Sequence, residues 1–230
     1  MLRILLFINL FFVVAAYGQE QQLSFSQAIS NYLPKYKEKA DKAYRLQNIE
    51  RAEFLFDSLV NNCLKGSRLD NFKVKAVEGG LVSLDEFKKP VYLITNASWV
   101  VSTEGEIPAL NKLAKKYHEQ VDFMVLFWDT RETVKQLAKK YDPNIKIFYV
   151  DELKNNSSYV VRMMKHSLGL PTTFLMDKDK NIIDIRRKIS HPYGIEFEKS
   201  FNLNYDSFSQ AISLLLIDDS RQYSTATASE

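Results

Sequence analysis

The sequence predicts an α/β domain, a mixed central β-sheet with helices on both faces, preceded by an N-terminal helical extension. Three observations carry this. Apolar and β-branched runs at 91–95, 121–128 and 145–150 alternate with amphipathic segments, as parallel crossovers require. Two further runs, 172–176 and 181–188, flank the polar turn Asp177-Lys178-Asp179-Lys180 and read as an antiparallel hairpin. Residues 21–65 carry helical spacing only.

Each element follows from its residues. From Tyr36 to Cys63 the apolar positions Ala40, Ala43, Tyr44, Ala52, Leu55, Phe56 and Leu59 recur mostly at threes and fours, one buried helical face. Pro34 is expected to split off a shorter first helix or to sit in the first turn of the second, and Gly66 to end the helical region. Residues 70–84 suggest a small hairpin around Glu78-Gly79-Gly80, followed by a helical turn at Ser83–Phe87. Val91–Thr95 is continuous enough to be a strand buried on both faces. Ile107, Leu110, Leu113, Ala114 and Tyr117 make the inner stripe of a helix over 106–120. Asp129-Thr130-Arg131-Glu132 reads as a capping box opening the next helix, which Asp142-Pro143-Asn144 ends. A short helix over 157–168 stops at Gly169. The last helix is expected over 205–217, with a polar, frayed tail from 218 onward.

Composition narrows the function. A net charge of +3 with 26% charged residues and no basic stripe argues against nucleic-acid binding. Met1-Leu2-Arg3, an apolar run from Ile4 to Ala16, and small residues through Gly18 have the three-part layout of a secretory signal peptide over 1–18. The run is shorter than the ~20 residues of a membrane span, so the mature chain is expected to be exported, with no stable span left after cleavage. Its destination would be the periplasm of a Gram-negative bacterium or the exterior. Export permits disulfides, yet Cys63 is the only cysteine and no internal bridge can form. His118, His166 and His191 are scattered without metal-ligand spacing, and no metal or cofactor is expected.

Three motifs carry a resemblance. Val91–Trp99 is a core strand running into Ala97-Ser98-Trp99. Trp99 is followed, at fixed spacing, by Glu106-Ile107-Pro108 and an amphipathic helix. Gly169-Leu170-Pro171-Thr172-Thr173-Phe174-Leu175-Met176-Asp177 comes last. Together, in this order, they resemble the thioredoxin-like fold, a three-layer architecture, and within it the exported TlpA/ResA-like redoxins of AhpC/TSA type. The likeness covers roughly 66–217. The resemblance implies a cysteine directly after the tryptophan and another three residues later, and a cis-proline facing them at Pro171. In this chain the two cysteine positions hold Val100 and Thr103.

Disulfide exchange needs an attacking thiolate and a resolving thiol. Valine supplies no nucleophile, and a threonine hydroxyl is poor without an adjacent base. The expected catalytic set is therefore empty. The expected binding groove comprises Trp99, Val100, Val101, Ser102, Thr103, Leu170 and Pro171, and its partner would be an extended polypeptide or a protein. Two other readings stand beside this one: an oxidoreductase acting through the lone thiol of Cys63, and a structural subunit assembled through the N-terminal helices. Cys63 itself falls on the apolar stripe, as a small buried residue would.

Overall fold

A computed structural model describes residues 22–154, 157–188 and 194–227. The expected signal segment and His191 lie outside the described residues. Seven strands form one sheet in the order β2-β1-β5-β4-β3-β6-β7: β1 Lys73–Ala76, β2 Leu81–Ser83, β3 Val91–Asn96, β4 Asp122–Phe127, β5 Ile145–Tyr149, β6 Thr172–Met176 and β7 Ile182–Arg187. β3, β4 and β5 are mutually parallel; β6, β7 and the β1–β2 hairpin run antiparallel to their neighbours. The helices are α1 Phe25–Arg45, α2 Ile49–Leu59, α3 Glu106–Tyr117, α4 Arg131–Ala138, α5 Tyr159–Leu168 and α6 Phe197–Thr227.

Strand alternation divides the core into two layers. Phe123, Val125 and Phe127 of β4 join Leu110 and Leu113 of α3, Val134 of α4 and Ile212 and Leu215 of α6. Met124 and Leu126, one residue out of phase, join Val161 and Met164 of α5 and the inner faces of α1 and α2. All six residues of β3 are buried, as the uninterrupted apolar run requires.

The helical extension packs on its own domain, where the sequence left both an intramolecular and an intermolecular role open. Tyr36, Ala40, Ala43, Leu55, Phe56 and Leu59 are all buried in the same cluster as Phe174 and Ile185 of the sheet. Arg187, at the end of β7, fixes the docking: its guanidinium donates to Tyr36 Oη (2.9 Å) and Tyr44 Oη (2.8 Å) and lies 4.1 Å over the Phe56 ring.

Several boundaries differ from expectation. Pro34 breaks nothing: it lies inside a continuous α1. Pro34 is on the exposed face, so water can take the Ser30 carbonyl that its missing N–H leaves unbonded. The break comes instead at Gln47 (φ 54°), and Asn48 caps α2 by accepting the Arg51 N–H at 2.9 Å. The cap of α4 is Thr130, whose Oγ1 accepts the Thr133 N–H. Asp129 is employed elsewhere, as described below. The final helix begins two turns before residue 205 and runs through residue 227, well into the region expected to fray.

Candidate functional site

The loop between β3 and α3 carries the residues singled out in the sequence. Thr95 pairs with Thr172, so Pro171 stands beside the point where β3 passes into this loop. Thr95 Oγ1 donates to the Thr172 carbonyl (2.9 Å) and accepts the Thr172 N–H (3.1 Å), which knits the two strand ends together. The Leu170–Pro171 peptide bond is cis. Gly169 (φ 85°) uses both of its backbone groups, toward Lys165 and the Thr172 hydroxyl; the Leu170 N–H and C=O make no hydrogen bond among the described residues.

The loop is pinned at several points. Asp129 accepts from the Ser98 N–H (2.7 Å) and Ser98 hydroxyl (2.6 Å). The Val100 N–H donates to the Ala97 carbonyl (3.0 Å). Lys188, just past β7, donates to the Val101 carbonyl (2.8 Å) and pairs with the Glu106 carboxylate, both side chains being mostly buried. The buried Asn204 of α6 donates to Thr103 Oγ1 (3.2 Å), and the Gly105 N–H donates to Ser200 Oγ (3.2 Å). Gly105 is obligatory for contact rather than for backbone freedom: a Cβ there would lie 2.2 Å from the Phe201 nitrogen and 2.5 Å from its Cα.

Two large apolar side chains of the loop face outward. Trp99 is 65% exposed and Val101 83% exposed. Ser102 is also exposed, whereas Val100 and Thr103 are half-buried. A cavity of about 30 Å³, room for one water, lies behind the loop between Pro171, Glu106, Lys188, Asn204 and Tyr92. The Tyr92 phenol bordering it is fully buried, and that burial holds its pKa well above the ordinary tyrosine value.

Helix α3 starts at Glu106, three residues beyond Thr103, so neither Val100 nor Thr103 lies in its first turn. Cys63 is remote from the loop. It sits in a π-helical turn, Val60–Leu64, and packs partly buried against the α1–α2–α5 layer. Gly66, three residues later, donates to the Ile182 carbonyl at the start of β7, while Lys188 grips the loop at the other end of that strand. The six strand residues between span roughly 20 Å. Burial also pushes the Cys63 thiol up, toward the unreactive protonated form. Among the described residues no group of histidine, cysteine and carboxylate side chains could hold a metal ion.

The profile of the AhpC/TSA family matches residues 66–185, more than half of the chain and inclusive of both the loop and Pro171. The chain belongs to that family. Thiol-disulfide oxidoreductase ResA of Bacillus cereus (strain ZK / E33L) is 33% identical over 123 residues, 52% of this chain and 67% of the relative. The thioredoxin-like protein YneN of Bacillus subtilis (strain 168) is 29% identical over 126 residues, 53% of this chain and 70% of its own. A solved thiol:disulfide interchange protein from Bacteroides sp. aligns over 60% of this chain and 86% of its own at 21% identity, with a TM-score of 0.43.

Sequence reasoning missed the residues that hold the loop. Lys188, Ser200 and Asn204 all lie beyond the family-matched segment, and Gly105 had no visible partner in sequence. One signal was available: Ser200 and Asn204, four residues apart, continue the buried stripe of the last helix backwards as polar rather than apolar residues.

Proposed function

We propose that this chain is an exported, non-catalytic member of its family that binds an extended polypeptide at the surface formed by Trp99, Val101 and the Leu170–Pro171 turn. The observation that carries this reading is the combination within one loop: no thiol at positions 100 and 103, and two large apolar side chains held outward on a loop that hydrogen bonds anchor at Ser98, Val100, Val101, Thr103 and Gly105. The unspent backbone groups of Leu170 supply what an extended chain pairs with. The apolar lip supplies the area.

Export rests on the sequence of residues 1–18; among the described residues no helix is long and apolar enough to cross a membrane. Disulfide exchange needs an attacking and a resolving thiol, and this chain has one, remote from the loop.

The test has two arms. Peptides selected by display on the full chain should lose binding to Trp99→Ala and Val101→Asp. The purified chain should not reduce insulin. Unchanged peptide binding in both variants removes the groove from consideration; insulin reduction that disappears in Cys63→Ser establishes a thiol enzyme instead.

A further inference from the structure

A second depression lies at the opposite end of the strands. β6 runs from Thr172, beside the Trp99 loop, to Met176, and the turn 177–180 follows. Arg68, Lys88, Lys178 and Lys180 border a cavity of about 290 Å³ there, together with Asp85, Asp179 and Phe87. Four cations thus face two carboxylates.

The arrangement of those cations is unusual. Lys180 is only 2% exposed, yet no carboxylate lies within ion-pairing distance of it among the described residues. Its ammonium donates instead to the Lys178 carbonyl (2.5 Å). The buried Asp177 carboxylate, three residues before Lys180, is occupied by the Asn181 N–H (2.8 Å), Asn181 Nδ2 (2.7 Å) and Gln222 Nε2 (2.9 Å). Lys88 likewise donates to a carbonyl, that of Asp85 (2.8 Å), and Arg68 Nε to the Asp179 carbonyl (3.1 Å). The ion pair of Arg68 with Asp85, at 3.8 Å, is solvent-exposed and weak.

An ammonium taken out of water with no carboxylate in direct contact is costly, and burial draws the Lys180 pKa below the ordinary lysine value, the Asp177 carboxylate offsetting only part of that. A bound anion would remove that cost. Carbonyl-bonded ammonium groups keep donors free for it, since each –NH₃⁺ carries three. A guanidinium at the rim suits an oxyanion.

We infer that this cavity is a binding site for a phosphate-class oxyanion, held by Lys180, Arg68 and Lys88. The phosphate comes either from a free phosphate or phosphate ester or from an anionic lipid headgroup. The site is independent of the peptide-binding surface.

Isothermal titration of inorganic phosphate into the full chain, with ionic strength held by chloride, tests the first source. Co-sedimentation with phosphatidylglycerol vesicles, against phosphatidylcholine vesicles, tests the second. Binding in at least one arm is expected, weakened at least tenfold in Lys180→Met and in Arg68→Gln. Arg68 is exposed, so the second variant decides the matter if the first does not fold. Binding only to phosphatidylglycerol assigns the headgroup; binding of phosphate in solution assigns the free ligand. No binding in either arm, or binding that both variants retain, overturns the site.

Discussion

Gly105→Ala is the sharpest probe of how the loop is held. The backbone there (φ −82°, ψ −10°) suits alanine, so the substitution carries no conformational penalty. Considered alone, it should stabilise by about 0.4–1 kcal/mol through the unfolded chain. The structure opposes this: the new methyl would lie 2.2, 2.5 and 2.7 Å from three backbone atoms of Phe201 and Ser200, none of which can rotate away. Helix α6 must shift from the start of α3. Overpacking of this kind costs about 1–3 kcal/mol. The shift also parts the Gly105 N–H from Ser200 Oγ in a buried setting, about 1–3 kcal/mol more. The balance is a loss of about 2–5 kcal/mol, a fall in Tm of roughly 5–15 °C for a chain of this size. Urea unfolding followed by tryptophan fluorescence measures it directly. A Gly105→Ala protein as stable as the parent, or more so, would refute the contact between α6 and the loop.

Four further outcomes are expected. Val100→Cys with Thr103→Cys should yield thiols with near-ordinary pKa values, about 8.5, and little insulin reductase activity; a thiolate titrating several units lower contradicts the loop geometry. Lys188→Met should destabilise the chain by about 3–5 kcal/mol by stranding Glu106, and should loosen selected peptides without touching the apolar lip; Lys188→Arg should restore both. Tyr92 has a raised pKa in the folded state, so above pH 10 the unfolded chain loses its proton first and stability falls as pH rises; Tyr92→Phe should flatten that part of the curve. Lys180 has the opposite sign: its folded pKa is depressed, so stability climbs as pH passes from that value toward 10.5, and Lys180→Met abolishes the climb.

The strands and the helices between them were legible because each obeys one local period. β3 is a run buried on both faces, and the stripe of α3 repeats at three and four residues. Boundaries failed where a tertiary contact outweighed a local signal. Pro34 is tolerated because it faces solvent, which no sequence window reveals. Phe197–Asn204 is rich in weak helix formers, yet it is helical because Ser200 and Asn204 find their partners on a loop about a hundred residues earlier. Asp129 looked like a helix cap, but the Ser98 backbone and hydroxyl hold it instead. Trp99, Val100 and Pro171 were visible as motif positions. Their bracing was not, because hydrogen bonds between polar residues distant in sequence leave no period.

The bracing also changes what the missing sulfur means. A thiol becomes reactive at a helix start because unspent N–H groups there stabilise the thiolate. In this loop two such donors are engaged: Gly105 N–H with Ser200 Oγ and Glu106 N–H with the Thr103 carbonyl. The Lys188 ammonium is divided between the Val101 carbonyl and the Glu106 carboxylate. Val100 and Thr103 carry no thiol, and these three donors hold the loop rather than stabilise a charge. Rigidity of this kind serves a binding surface, because the ordering cost of the loop is already met before a partner arrives. A reductase would need the reverse, a helix start with free donors and a thiol in its first turn. The same hydrogen bonds that weaken the case for chemistry therefore strengthen the case for recognition at Trp99 and Val101.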